Sequence, residues 1–259
     1  MTPLRVARLV GIGWWFHLKG LSQSGFFLLT AVFMPSLIAT VAFYMFQAGN
    51  QPETLFWVAL GAAVYGIWSS TLFGSGGAIQ WQRWQGTLEL LVAAPAPFSL
   101  VLLPLTLATS SVGIYSLVST LLWGRLVFGI PLEIEHPVQF ALAVPTTIVG
   151  LGLLGMLFAS TFVLYRHANA LSNMLEMPVL LVTGLLVPLS LLPVWVHPIG
   201  WVLAPTWGVR ALRDSAFGGQ PWPEIGLTLG LGAAYVGLAI VFLRHFERLA
   251  RKHATLSLT

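Results

Sequence analysis

Cysteine is missing altogether from the 259 residues, which excludes structural disulfides and thiolate metal sites and leaves the redox compartment undetermined. Charge is nearly as scarce. Asp, Glu, Lys and Arg make up 8% of the chain, where a soluble domain carries about 25%. No phosphate loop of the form G-x-x-x-x-G-K-[ST] occurs, and Gly74-Ser75-Gly76-Gly77 lies in an apolar stretch without the lysine that would hold phosphates. What is present is apolar: hydrophobic residues are 57% of the chain and the mean hydropathy is +0.85. These proportions describe an integral membrane protein. The formal net charge of +4 does not point to nucleic acid, because 12 basic residues scattered at the ends of apolar runs are too few and too dispersed for a phosphate-tracking groove.

Six runs, at 24–46, 55–79, 98–123, 138–165, 177–196 and 225–243, contain no Asp, Glu, Lys, Arg or His. Each reaches the roughly 20 helical residues that cross a hydrocarbon core of about 30 Å. Helix is the only open-chain way to satisfy every backbone N–H and C=O in lipid, so the pattern predicts an all-α bundle of six transmembrane helices. The first run exceeds the apolar core of a signal peptide and no convincing cleavage site follows it, so it is expected to be retained. Loop by loop, Arg5, Arg8, Lys19, Arg83, Arg166, Arg244, Arg248, Arg251 and Lys252 fall on one side and Arg125, Arg210 and Arg213 on the other. That imbalance predicts both termini in the cytoplasm.

The expected organisation is one domain over 1–259, made of an interfacial helix over 1–22, the bundle over 24–243 and a basic tail over 244–259. In the first part Arg5, Arg8 and Lys19 share a narrow helical arc with Val6, Val10, Trp14 and Leu21 roughly opposite, while Ile12 and Trp15 blur the polar face. A mechanical helix and a basic flank that only sets topology both fit this pattern. Between the second and third runs, a wet stretch from Gln80 to Pro95 is pinned at the membrane surface, where it can form a short helix across the mouth of the bundle. A second cytoplasmic turn carries Arg166, Asn169 and Glu176. Between the last two runs, Pro188, Pro193, Pro198, Pro205, Pro221 and Pro223 alternate with Trp195, Trp201, Trp207 and Trp222. This link is too apolar for a solvated loop and too broken for one helix, so it is expected to re-enter the interface with its tryptophans at headgroup depth.

The run Gln82-Arg83-Trp84-Gln85-Gly86-Thr87-Leu88-Glu89-Leu90-Leu91-Val92-Ala93-Ala94-Pro95 resembles the cytoplasmic signature of ABC transporter permeases of the type-2 export class, the class of drug- and antibiotic-resistance exporters. Leu192-Pro193-Val194-Trp195 and Pro205-Thr206-Trp207, followed by Arg210-Ala211-Leu212-Arg213, are similar to that family's Pro-rich segment before the last span. The resemblance covers essentially the whole chain. It implies a transmembrane subunit in a prokaryotic cell membrane, paired with a second permease, identical or homologous, and clamped to two cytosolic ATPases that bind ATP and Mg. No cofactor is expected in this chain, and the subunit is not itself expected to be an enzyme.

Spans without titratable groups argue against proton coupling and leave sodium held by carbonyls open. On the family resemblance, the segment from Arg83 to Leu91 is expected to be the coupling helix: Leu88, Leu90 and Leu91 anchor it, and Arg83, Gln85, Thr87 and Glu89 are its polar handles. Gly86 permits the turn at its start. Uncharged walls suit a hydrophobic or amphiphilic cargo such as a drug-like metabolite, lipid or glycolipid. The candidate path residues are Tyr65, Trp68, Ser69, Thr71 and Phe73 on the second span and Thr183, Leu186 and Leu189 on the fifth, the helices that border the path in the family. Gly226-x-x-x-Gly230 and the glycines from Gly150 to Gly155 predict close helix packing, and Pro104, Pro145 and Pro188 predict kinks. Arg125, Glu133, Glu135 and His136 read as a solvated outer loop, since no nucleophile or metal-ligand spacing accompanies them. A channel or scaffold subunit and a membrane-embedded lipid-modifying enzyme are the competing classes.

Overall fold

A computed structural model describes residues 2–48, 54–84, 86, 97–163 and 168–253. Among these residues there is no strand. The elements in chain order are α1 (Pro3–Gln23), α2 (Gly25–Ala48), α3 (Leu55–Trp84), α4 (Ser99–Phe128), α5 (Pro137–Phe162), α6 (Ala168–Val182), α7 (His197–Trp201), α8 (Ala204–Ala216) and α9 (Trp222–His253). Two short 3-10 turns, Leu189–Leu191 and Val194–Val196, lie between α6 and α7.

Five helices are long and apolar enough to cross a membrane, with windows at Phe27–Phe46, Leu55–Gly77, Ser99–Phe128, Pro137–Phe162 and Trp222–His245, and a shorter apolar helix covers Ala170–Val182. The chain is an all-α membrane protein. The core rod is α3, whose side chains are almost all buried, whereas α2 and α9 turn broad apolar faces outward. This follows from composition. Along α3, small residues let neighbours approach: a Cβ at Gly66 would lie 2.3 Å from the Ser116 side chain and one at Gly74 2.3 Å from Thr109, while Gly113 of α4 receives Ile67. Without a hydrophobic driving force between helices in lipid, such close packing is what holds a bundle together. The glycines of α5 act likewise, Gly150 against Thr228, Gly152 against Ser110 and Gly155 against Thr71. The spacing Gly226-x-x-x-Gly230 does not: a Cβ at either position would meet nothing within 4 Å, and α9 packs instead through Thr228, Gly232, Tyr235, Ala239 and Leu243.

α1 lies along α4, with Gly13 against Pro104 and the Trp14 indole N–H donating to Ser111 Oγ at 3.0 Å. Arg5, Arg8 and Lys19 are exposed, as are Ile12, Trp15 and Phe16. α2 continues along the same helix, where the Ser116 hydroxyl donates to the Ala31 carbonyl and Trp123 Nε1 donates to Thr40 Oγ1 at 2.8 Å.

The fifth crossing departs from expectation. The run 177–196 is not one helix: α6 begins at Ala168, nine residues earlier, and stops at Val182 after 15 residues, a rise of about 22 Å. Gly184 then takes a left-handed φ of +76°, which needs glycine, and Pro188 and Pro193 open the two 3-10 turns. Pro188 therefore ends a segment rather than kinking a span, while Pro104 and Pro145 lie inside α4 and α5. The chain folds back so tightly that a Cβ at Gly200 would lie 2.5 Å from the Val182 carbonyl oxygen. α8 then packs beside α5, with Gly208 on Thr147 near its start and the Ser215 and Ala216 carbonyls taking the His136 and Glu135 N–H groups near its end. The expected irregular segment is thus present, and Trp195, Trp201 and Trp222 are exposed on it.

Gly61→Ala tests this packing. A Cβ there would lie 1.6 Å from the Leu185 carbonyl oxygen, so the substitution should cost about 2 kcal/mol or more and lower the melting temperature in detergent. Gly77→Ala, where nothing lies within 4 Å, should not lower it.

Candidate functional site within the bundle

Two charges, one buried and one half-buried, interrupt the apolar interior. The first is Arg213, 7% exposed on α8. Its Nη1 donates to the Gly184 carbonyl at 2.9 Å, Nη2 donates to Leu185 at 2.6 Å and to Trp57 at 3.2 Å, and Nε donates to Trp57 at 3.3 Å. The guanidinium carbon lies 3.2 Å from the centroid of the Trp57 ring. The planar fork suits this position, because several fixed donors are needed in one plane against carbonyls released by the break after α6. Gly61 supplies the notch through which the Leu185 carbonyl approaches α3. A cavity of about 250 Å³ opens beside this junction, lined by Trp57, Thr183, Ser190, Arg210, Arg213 and Asp214. Burial, and then the nearby Glu224 carboxylate, raise the Asp214 pKa, and Arg210 and Arg213 oppose the rise.

The second charge is Glu176 on α6. Oε1 accepts the Tyr65 hydroxyl at 2.7 Å and the Ser69 hydroxyl at 2.8 Å. Tyr65 and Ser69 stand one turn apart on α3, close to the midpoint of the apolar window Leu55–Gly77. Glu176 is therefore not in a surface turn, and the expectation of a bundle interior without titratable groups is corrected. The error came from the boundary: Glu176 adjoins the apolar run 177–196, and the helix that carries it starts eight residues before it. Ser172, one turn away, donates to the Leu72 carbonyl at 3.3 Å and fixes the register.

The remaining candidates divide by burial. Trp68 is fully buried edge-on to Phe158 at 5.8 Å. Thr71 is buried and bonds back to the Ile67 carbonyl at 2.7 Å, and Thr183 likewise to Val179 at 2.6 Å. Leu189 is buried against Gly184 and Gly200, and Phe73 and Leu186 are half-buried. Of the candidate path residues, only Tyr65 and Ser69 meet a charged group. At the far end of α3, Arg83 lies in the last turn and Gly86 is exposed in a turn with φ +67°. Gln85, Thr87, Leu88 and Glu89 lie outside the described residues, as does Arg166; Asn169 lies in the first turn of α6. The loop of Glu133, Glu135 and His136 is exposed in its side chains, and its backbone is fastened to the end of α8.

In the sequence, Arg213 stands as an outer-side charge and as the last residue of the Arg210-Ala211-Leu212-Arg213 motif, with no buried acceptors assigned to it. A usable signal was there, since Arg213 shares a face of α8 with Val209, Leu212 and Ala216, all buried. An arginine on an apolar face requires acceptors inside.

The profile of the ABC-2 type transporter family matches residues 8–217, which takes in α2 to α6, the broken segment and α8. The chain belongs to the ABC-2 transporter family. No curated protein matches it. Membership makes the chain a transport permease, and its matched region contains both Glu176 and Arg213.

Arg213→Lys keeps the charge of the permease but loses the fork. It should lower stability by about 2–4 kcal/mol, read as a drop in melting temperature in detergent, whereas Arg210→Lys keeps the charge near Asp214, loses a stack on Trp207 at 5.0 Å and should leave the melt nearly unchanged.

Proposed function

We propose that this permease is the transmembrane subunit of an ATP-driven exporter that moves a hydrophobic or amphiphilic molecule out of the cytoplasm or the inner leaflet, with a second permease and two cytosolic ATPases completing the complex. Family membership over residues 8–217 is the observation that carries the reading. ATP and Mg belong to the ATPases. The charge bias places Arg83 and both termini in the cytoplasm of a multi-pass cell-membrane protein.

The unbroken course of α3 supports a mechanical route. This helix runs 30 residues from Leu55, beside the Arg213 junction, to Trp84, next to the Gly86 turn. A helix packed on all sides moves as one piece. Force applied around Arg83, Gln85, Gly86, Thr87, Leu88 and Glu89 would reach Tyr65 and Ser69 without a hinge in between, and α6 would follow through Glu176 and Ser172. Arg166 and Asn169 supply a second cytoplasmic contact where α6 begins. Tyr65, Trp68, Ser69, Thr71, Phe73, Thr183, Leu186 and Leu189 are the side chains that such a movement would rearrange.

Purification of the tagged permease from its own host should bring down a soluble ATPase in roughly equal amount, and Glu89→Lys should abolish substrate-stimulated ATP hydrolysis while leaving the permease in the membrane. A permease that purifies without an ATPase, or unchanged turnover in the variant, contradicts the reading.

A further inference from the structure

We propose that Glu176 is the counter-charge for a cationic amphiphile, a bulky apolar molecule bearing one positive charge, as it passes the seam between α3 and α6. The inference rests on the export reading above and adds the substrate's charge to it.

Three observations carry it. The first is depth. Through Tyr65 and Ser69 the carboxylate is tied to the middle of the Leu55–Gly77 window, where an ionisable group is costly and marks a pathway. The second is its pattern of partners. Both hydroxyls donate to Oε1, and among the described residues no donor engages Oε2 and no basic side chain pairs with the group. The other interior charge, Arg213, is committed to carbonyls at Trp57, Gly184 and Leu185, and Trp57 lies eight residues, about 12 Å, along α3 from Tyr65. The third is access. Glu176 and Ser69 are half-buried rather than sealed, and Asn173, one turn before Glu176 on α6, is exposed, with exposed Met177 at the margin of that face. The apolar surroundings, with half-buried Phe73 one turn from Ser69, suit the body of such a molecule, and a soft thioether edge adapts to varied shapes.

The orientation of the donors sharpens the selectivity. Tyr65 and Ser69 hold one oxygen and fix the rotamer, so Oε2 presents its charge without conformational search. A cation is attracted there at low dielectric, a neutral molecule gains nothing from the charge, and an anion is repelled.

The test is equilibrium binding of tetraphenylphosphonium and of tetraphenylborate, ions of like shape and opposite charge, to the full chain in nanodiscs of zwitterionic lipid. Neither probe exchanges a proton. The wild type should bind the cation saturably and the borate not. Glu176→Gln keeps an acceptor for Tyr65 and Ser69, should retain the melting temperature, and should weaken cation binding roughly tenfold or more, while Glu176→Asp should retain part of it. Equal cation affinity in wild type and Glu176→Gln, absence of saturable cation binding, or equal uptake of the borate overturns the proposal. The comparison of the two ions on the wild type needs no variant. The measurement also needs no ATPase, so loss of cation selectivity with the ATPase still copurifying removes this inference alone, and cation selectivity without an ATPase removes the export reading instead.

Discussion

The guanidinium of Arg213 holds together the segment after α6, where the chain leaves helical geometry inside the bundle. A chain that leaves helical geometry inside a bilayer exposes carbonyls that water cannot reach, and each unsatisfied group costs several kcal/mol. Here α6 ends at Val182, and the Gly184 and Leu185 carbonyls that follow meet Arg213 together with the Trp57 carbonyl of α3. One side chain thereby joins the broken segment, the central helix and α8. The cost of burying its charge is offset by carbonyl dipoles and by the Trp57 ring.

Several features of the bundle follow from that junction. Gly61 has no side chain because the Leu185 carbonyl occupies the space. Gly184 adopts φ +76° because the chain must reverse at that point. α6 can be short, since the folded-back segment and α8 complete the thickness that 15 helical residues leave open. With α3 fixed at its Trp57 end and reaching the Gly86 turn at the other, its middle carries the Tyr65 and Ser69 hydroxyls to Glu176. Packing thus sets the position of a charge at the depth where a transported molecule would change its surroundings.

Much of the fold was legible in the sequence, and what was missed has a common cause. Runs of uncharged apolar residues announce α2, α3, α4, α5 and α9, because lipid imposes length and composition directly. The alternation of Pro and Trp from Pro188 onward announces an irregular re-entrant segment. The end of α6 is hidden, since Val182 to Leu192 is as apolar as a spanning helix, and the features that break it are backbone conformation at Gly184 and carbonyl acceptors that no residue letter displays. Glu176 reads as part of a cytoplasmic turn because a charge beside an apolar run reads as the end of the run, and Arg213 reads as an outer-side charge within the Pro- and Trp-rich link. Their true positions depend on contacts made 107 and 156 residues away in the chain, with Ser69 and Trp57.

The most direct measurement is the separation of spin labels at Leu181→Cys and Ile199→Cys, both exposed positions in a chain whose lack of cysteine leaves no other label site. A helix unbroken between them would hold the backbones about 27 Å apart. The account predicts strong dipolar coupling at a much shorter distance, since Val182 and Gly200 touch, with broadening of the distribution in Arg213→Met. A narrow distribution near the unbroken-helix distance, unaffected by Arg213→Met, would contradict it.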